Sequence, residues 1–360
     1  MSALQTLERR TISKISWRLL PLIVIIYFVA YIDRTNVSFA ALTMNKDLGL
    51  SSYVFGLGAG IFFLGYFLFE IPSNVILEKV GARIWIARIM ITWGLVSGAT
   101  ALATGPASFL TLRFLLGVAE AGFFPGMILY FTYWFPKAYR ARVISALFIA
   151  VPGSNAVAAV ISGAVLEMDG LLRLTGWQWM FIVEAVPAVL LAFAVLVLMT
   201  DSPAVASWLE PAEREWLEGA LQEERRHIET SGHLSLFQAL TDARVLILSL
   251  IYLTIVTATY GITFFLPQIV KGIGLSNMMT GLVTAIPYTI GTIGMLLWGL
   301  PPIDMTSGVG ISALPAYWQQ PVSSAPDCSA ARSLRSRLCR SQQSACMVPS
   351  RHSGRCLPYF

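Results

Sequence analysis

Charge and cysteine are what this chain lacks. Only 12% of its 360 residues are Asp, Glu, Lys or Arg, and no cysteine occurs before Cys328. Soluble globular domains carry about 25% charged residues, so the shortage excludes an ordinary water-soluble domain. The missing cysteines exclude a disulfide framework or a thiolate metal site from all but the last part of the chain. A net charge of only +5, with nothing resembling a nucleic-acid module, excludes a nucleic-acid partner. No nucleophile paired with a base, metal cluster or cofactor loop is visible, so the sequence reads against an enzyme and calls for no cofactor or metal.

What the chain has instead is apolar sequence, with 56% hydrophobic residues. Stretches long enough to cross about 30 Å of hydrocarbon as helices lie at about residues 17–36, 53–76, 85–105, 108–131, 143–166, 178–199, 243–268 and 277–299. These eight spans predict an all-α, multi-pass membrane protein. A signal peptide is excluded at the N-terminus: Asp33-Arg34 follows the first apolar run where a small-residue cleavage site belongs, and further spans follow. Arg9, Arg10, Lys14 and Arg18 precede the first span, Lys79 and Arg83 follow the second, and Lys137, Arg140 and Arg142 follow the fourth. Positive charge marks the cytoplasmic side of a membrane protein, so the N-terminus is expected in the cytoplasm.

The one long polar connection runs from Asp201 to Asp242. Within it Trp208, Leu209, Trp216, Leu217 and Leu221 fall near helical spacing among acidic neighbours, which predicts an amphipathic helix at the cytoplasmic surface. After Gly299 the composition changes. Ser, Pro and Arg become frequent, no further span follows, and Cys328, Cys339, Cys346 and Cys356 match no zinc-ligand spacing. Residues 300–360 read as a disordered tail. The simplest account of it is a shift of reading frame after Gly299, because off-frame reading of a GC-rich gene yields such codons; a regulatory tail is the alternative.

Four charges stand inside apolar runs: Asp33 and Arg34 in the first span, Arg113 and Glu120 in the fourth. An ionisable side chain in the bilayer costs roughly 2.5–3.5 kcal/mol even on the lenient insertion scale, so such residues pair with one another and line polar pathways. Arg113 and Glu120 are nearly two helical turns apart, which puts them on one face about 10 Å from each other along the axis. One can hold an anion while the other holds a proton. Gly117, Gly122, Pro125 and Gly126 in the same span permit close helix contact and a bend.

Taken in order, Tyr31-Ile-Asp33-Arg34-Thr-Asn36, Gly65-Tyr66-Phe-Leu-Phe-Glu70-Ile-Pro72, Asn74-x-x-x-Glu78-Lys79-x-Gly81-x-Arg83 and the Arg113-to-Gly126 segment resemble the major facilitator superfamily. Within it they are similar to the anion:cation symporters, and among those to bacterial tartrate and aromatic-acid permeases. Trp134-Phe-Pro136, Gly176-Trp177-Gln-Trp179 and the run from Tyr260 to Lys271 extend the resemblance over about residues 15–299. It implies a transporter bundle with a six-helix half at 1–200, a cytoplasmic linker at 201–242, the first two helices of a second half at 243–299, and a tail at 300–360 outside the family pattern.

The resemblance further implies a proton-coupled symporter of small organic carboxylates, monomeric, in the bacterial inner membrane. Asp33 and Glu120 would then be proton-coupling residues. Arg34 and Arg113 would be partners of those carboxylates or of the substrate anion, and Glu78, Lys79, Gly81 and Arg83 a gating loop built on a Glu78–Arg83 ion pair. A substrate anion that draws an arginine away from its carboxylate favours proton uptake, which links the two ligands. Tyr66 is a candidate substrate donor one turn from Glu70, where the family often has Gln. Asn155, Gln268 and Tyr288 are candidates for a central cavity, and Glu184 reads as a structural acid. With two helices in place of a full second half, the chain as written is expected not to transport actively. The competing reading is a membrane-anchored sensor or an inert truncated product.

Overall fold

The structure is a computed structural model, and it describes residues 3–230 and 241–299. The tail from residue 300, with its expected disorder and its four cysteines, lies outside the described residues. Among those residues regular structure is helical throughout, in keeping with the rule that only intrahelical bonding or a closed barrel satisfies the backbone in lipid. The helices are α1 (Ala3–Asp47), α2 (Ser52–Val80), α3 (Ala82–Ala99), α4 (Pro106–Glu120), α5 (Phe123–Trp134), α6 (Lys137–Val165), α7 (Gly176–Leu198), α8 (Pro211–Thr230), α9 (Ala243–Lys271) and α10 (Asn277–Gly299). With α4 and α5 joined as one span, they supply eight segments long and apolar enough to cross a membrane, as the hydrophobic runs predict.

Local signals set the helix ends. Ser51 Oγ accepts the Val54 N–H at 3.2 Å to start α2, and Gln178 Oε1 accepts the Thr175 N–H at 2.9 Å to start α7. Gly81, at φ 98°, turns α2 into α3. The fourth span breaks where its glycines stand: Ala121 leaves the helical region and Gly122 takes φ 82°. Glu120 therefore ends α4 in the interior of the bundle.

Small residues bring neighbouring backbones together. A β-carbon on Gly117 of α4 would overlap the Phe62 carbonyl of α2, and one on Gly65 would lie 2.5 Å from the Phe114 carbonyl oxygen, so α2 and α4 touch backbone to backbone. The same device joins α6 to α10, where a β-carbon on Gly163 would lie 3.2 Å from Gly281 Cα.

With 45 residues, α1 is about 68 Å long, well beyond the membrane requirement. Its extra N-terminal turns receive α8. Leu209, Leu217 and Leu221 join the core that Ile12, Ile15 and Leu19 belong to, and Trp208 stacks on Trp134 at 5.3 Å between ring centroids. The amphipathic helix thus lays its apolar stripe on protein. Lys14 Nζ lies 2.7 Å from Glu213 Oε2, Arg10 pairs with Glu210, and Arg140 Nη1 lies 2.6 Å from Glu224 Oε1.

Beyond the linker packing is sparse. Among its described residues α9 buries only Thr263, Phe264, Pro267 and Val270, while Leu246, Leu250 and Ile251 are more than half exposed.

Candidate functional site

Asp33 and Arg34 are adjacent on α1, so one helical step of about 100° sends them to different neighbours. Asp33 turns to α3 and is fully buried. Trp93 Nε1 donates to its Oδ2 at 2.7 Å, Ser97 Oγ donates to Oδ1, and Asn36 Nδ2 donates to Oδ1 at 3.2 Å. Three donors give this carboxylate the satisfaction a buried anion requires. Trp93 and Ser97 carry no charge and escape a search for ionisable residues. Their signal is the four-residue spacing, which puts an indole N–H and a hydroxyl on one face of an apolar helix.

Arg34 turns toward α2, α4 and α9. Its Nη2 pairs with Glu120, and its Nη1 donates to Tyr260 Oη at 3.0 Å. The guanidinium lies 5.3 Å from the Tyr31 ring and 5.6 Å from each of the Phe62 and Tyr66 rings, within cation–π range. Tyr66 is thus part of the cluster. Glu70, one turn further on, makes none of its hydrogen bonds. The expected pairing of the four charges forms as Arg34 with Glu120, between helices.

Arg113 has no such partner. It is completely buried on α4, 5.1 Å from the Phe62 ring. Its Nε reaches the Gly58 carbonyl only at 3.5 Å, and both terminal nitrogens lack a hydrogen-bond partner among the described residues. It lies in the field of Asp33 and Glu120 without an ion pair to either. A buried guanidinium with its fork unfilled is built to take a planar anion through two parallel N–H···O bonds.

The remaining predicted residues separate. Asn155 lines a small, partly open cavity of mixed character with Thr35, Ser38 and Phe39 of α1, Thr263 of α9, and Thr284 and Tyr288 of α10. Tyr288 Oη donates to Thr263 Oγ1 at 3.3 Å. Gln268 does not line this cavity: its amide donates to the Phe264 carbonyl on its own helix at 3.4 Å, and the neighbouring Pro267 faces the space. Glu184 is buried on α7 beside Ser162.

In the last turn of α2, Glu78 and Lys79 are exposed, and no ion pair joins Glu78 to Arg83 of α3 among the described residues. The acid that engages this loop is Asp201, after α7, whose Oδ1 accepts the Arg83 backbone N–H at 2.8 Å. A β-carbon on Gly81 would stand 3.0 Å from the same oxygen. A carboxylate at the first turn of α3 complements the positive end of the helix dipole.

The family profile described as Major Facilitator Superfamily matches residues 23–301. A protein of Agrobacterium vitis named "Putative tartrate transporter" is 52% identical over 292 residues, which cover 81% of this chain and 65% of that protein. The inner membrane transport protein RhmT of Escherichia coli K12 is 39% identical over 293 residues, covering 81% of this chain and 67% of that one. The chain therefore spans about two thirds of the length of these relatives. Among solved structures, a bacterial homolog of the human lysosomal transporter Spinster, inward-facing and unoccupied, superposes with a TM-score of 0.63 at 22% identity, over 83% of this chain and 67% of that one.

Proposed function

The chain belongs to the major facilitator superfamily, and on that premise we propose that it carries a small organic carboxylate together with a proton across the bacterial inner membrane. The observation that carries the reading is the Arg113 guanidinium, buried with both terminal nitrogens unfilled. A tartrate-like or nicotinate-like carboxylate satisfies both donors and neutralises a charge that is otherwise expensive to bury.

Proton coupling follows from the neighbours. Asp33 accepts from three neutral donors in the field of Arg113, and Glu120 is paired with Arg34. When a substrate carboxylate occupies Arg113, that guanidinium no longer offsets Asp33, and a proton on Asp33 restores the local balance. Binding energy is shared between the two ligands, so each raises the affinity for the other. Arg34 bridges Glu120 on α4 and Tyr260 on α9. A change in its pairing therefore reaches across the site, as rocking of two halves around a central site requires. In this reading residues 1–200 form one half, 201–242 link it to residues 243–299, and Gly81 with Arg83 and Asp201 form the gating contact.

The orientation with the N-terminus in the cytoplasm is supported by the basic residues at the N-terminal end of α1 and the start of α6, which share the acidic α8 as a partner. The name of the E. coli relative supports the inner membrane. The protein works as a monomer in the lipid bilayer. The test is reconstitution of the purified chain in liposomes with an imposed proton gradient and labelled tartrate or nicotinate. Carboxylate binding without gradient-dependent accumulation is the expected result for the chain as written, and saturable accumulation would overturn the expectation that it does not transport actively. Absence of binding by any small carboxylate sinks the reading.

A further inference from the structure

Among the described residues three acids are buried inside the membrane part of the bundle: Asp33, Glu120 and Glu184. Their hydrogen bonds divide them. Asp33 accepts from three donors and Glu120 from the Arg34 guanidinium. Glu184 has only neutral donors beside it, Ser162 Oγ at 2.9 Å from Oε1 and the Asn36 amide, and its Oε2 has no hydrogen-bond partner among the described residues. It makes no ion pair there. An unpaired carboxylate with a bare oxygen is the costliest state a buried acid can take, and a proton removes that cost. The same proton supplies a donor for Asn36 Oδ1, which is also buried without a partner, the Asn36 amide lying beside Glu184. Asn36 thus stands between two acids, giving its N–H to Asp33 at 3.2 Å.

We propose that Glu184 is a third proton-binding residue of the transport cycle: it holds a proton in this conformation, and Asn36 couples its protonation to that of Asp33 across the contact between α1 and α7. The inference rests on the proton-coupled reading above. In the exchange an O–H bond forms on Asp33 while the O–H bond on Glu184 breaks. The Asn36 N–H passes to the carboxyl that becomes ionised, and the charge of the pair is unchanged. Asp33 on α1 is the charged group that faces Glu184. From α6 it meets the hydroxyl of Ser162. The cations Arg83 and Arg88 of α3, and Lys137, Arg140 and Arg142 of α6, stand in the N-terminal halves of helices that meet α7 at their C-terminal ends, where Ser162 bonds Glu184 and a β-carbon on Gly98 would lie 3.4 Å from Ala185 Cβ. Glu167, after α6, is exposed and accepts the Met278 N–H at 3.2 Å.

Infrared spectroscopy of the full chain in lipid nanodiscs tests this. A protonated carboxyl carbonyl band is expected at neutral pH. It should move on incorporation of isotope-labelled glutamate, disappear in Glu184→Gln, and persist in Glu120→Gln. In Asp33→Asn, which removes the neighbouring negative charge, the band should vanish at a lower pH than in the parent. Isotope labelling of the parent assigns the band to glutamate and not aspartate even where a variant fails to fold. A spectrum without a glutamate band at neutral pH, or a band that survives Glu184→Gln, overturns the proposal. The same pH profile in Asp33→Asn overturns the coupling. Addition of tartrate separates the two readings. In a preparation that binds it, an unchanged band removes Glu184 from the cycle. Failure to bind any carboxylate counts against transport itself, while the resting band still decides where the proton sits.

Discussion

Arg34 and Glu120, from helices α1 and α4, form an ion pair with side chains only 10% and 1% exposed. They are 86 positions apart in sequence, and each is the other's only ionic partner among the described residues. Desolvation of two charges makes such a pair a poor source of net stability but a costly one to halve.

Removal of one partner should therefore cost more than removal of both. Glu120→Gln is expected to destabilise the bundle by about 3–5 kcal/mol, the usual penalty for stranding a buried charge, and the double variant Arg34→Met with Glu120→Met should recover much of that loss. Thermal unfolding of the purified chain in detergent measures both. A double variant as unstable as the sum of the two singles would show that the pair itself holds α1 against α4.

Arg113 should behave in the opposite way. Because its terminal nitrogens have no hydrogen-bond partner to strand, Arg113→Ala breaks no ion pair and leaves the hydrogen bonds of Asp33 and Glu120 in place, and its main effect should fall on ligand binding. Loss of a charge-assisted hydrogen bond costs on the order of 1.5–3 kcal/mol, or about tenfold or more in affinity for a small carboxylate. Arg113→Lys should recover only part of this, because an ammonium offers no planar fork. Calorimetry with tartrate is the measurement, and unchanged affinity in the Ala variant would make Arg113 a structural residue.

The contrast shows how much of the site the sequence carries. All four charges in apolar runs are legible without a structure because hydrocarbon makes each one conspicuous, and the eight spans are legible for the same reason. Which charge meets which is not. Arg113 and Glu120 share a helix face about 10 Å apart along the axis, which leaves the partner of each open, and the break at Gly122 and the approach of α1 set Glu120 against Arg34. The gating loop misleads in the same manner. Glu78 is near Arg83 in sequence, but the acid that reaches the loop is Asp201, 118 positions away from Arg83. Neutral donors such as Trp93, Ser97 and Tyr260 leave no trace in a search for charge. Tertiary contact selects them, and only their helical spacing hints at it.

Acid should loosen the linker helix before it affects the bundle. Burial pushes the Glu213 carboxyl up, but the hydrogen bonds from Lys14 and the Glu210 N–H and the charges of Lys14 and Arg10 outweigh it, so it is held below the usual carboxylate range. A carboxyl lowered on folding contributes stability that is complete above its unfolded value, about 4.3, and is lost as pH falls through the lower folded value. Trp208, stacked on Trp134, reports the docking of this segment. Tryptophan fluorescence and hydrogen exchange over residues 211–227 should stay constant from neutral pH to about pH 5 and show undocking below about pH 4. Glu213→Gln should weaken docking at neutral pH and flatten that dependence. An unaltered profile would assign the acid response to another carboxyl.

The glycines of α2 and α4 give a test in which neighbouring positions should respond with opposite sign. In both helices Gly→Ala gains about 1 kcal/mol of helix propensity, chiefly from the chain entropy that glycine loses on folding. At Gly60 of α2 nothing lies within 4 Å of the added β-carbon, so Gly60→Ala should leave stability unchanged or raise it slightly. At Gly117 of α4 the β-carbon would run into the Phe62 carbonyl and stand 3.0 Å from the Tyr66 amide nitrogen. These are backbone atoms of a helix and cannot swing aside as a flexible side chain does. Overpacking of this kind costs about 1–3 kcal/mol, which outweighs the propensity gain. Phe62 and Tyr66 also carry the rings beside Arg34, and Phe62 the ring beside Arg113, so displacement of α2 from α4 should weaken carboxylate binding along with stability. Thermal melts of the two Ala variants, with tartrate calorimetry on each, decide the matter. A Gly117→Ala protein as stable and as competent in binding as Gly60→Ala would mean that α2 and α4 tolerate a wider separation than this packing allows.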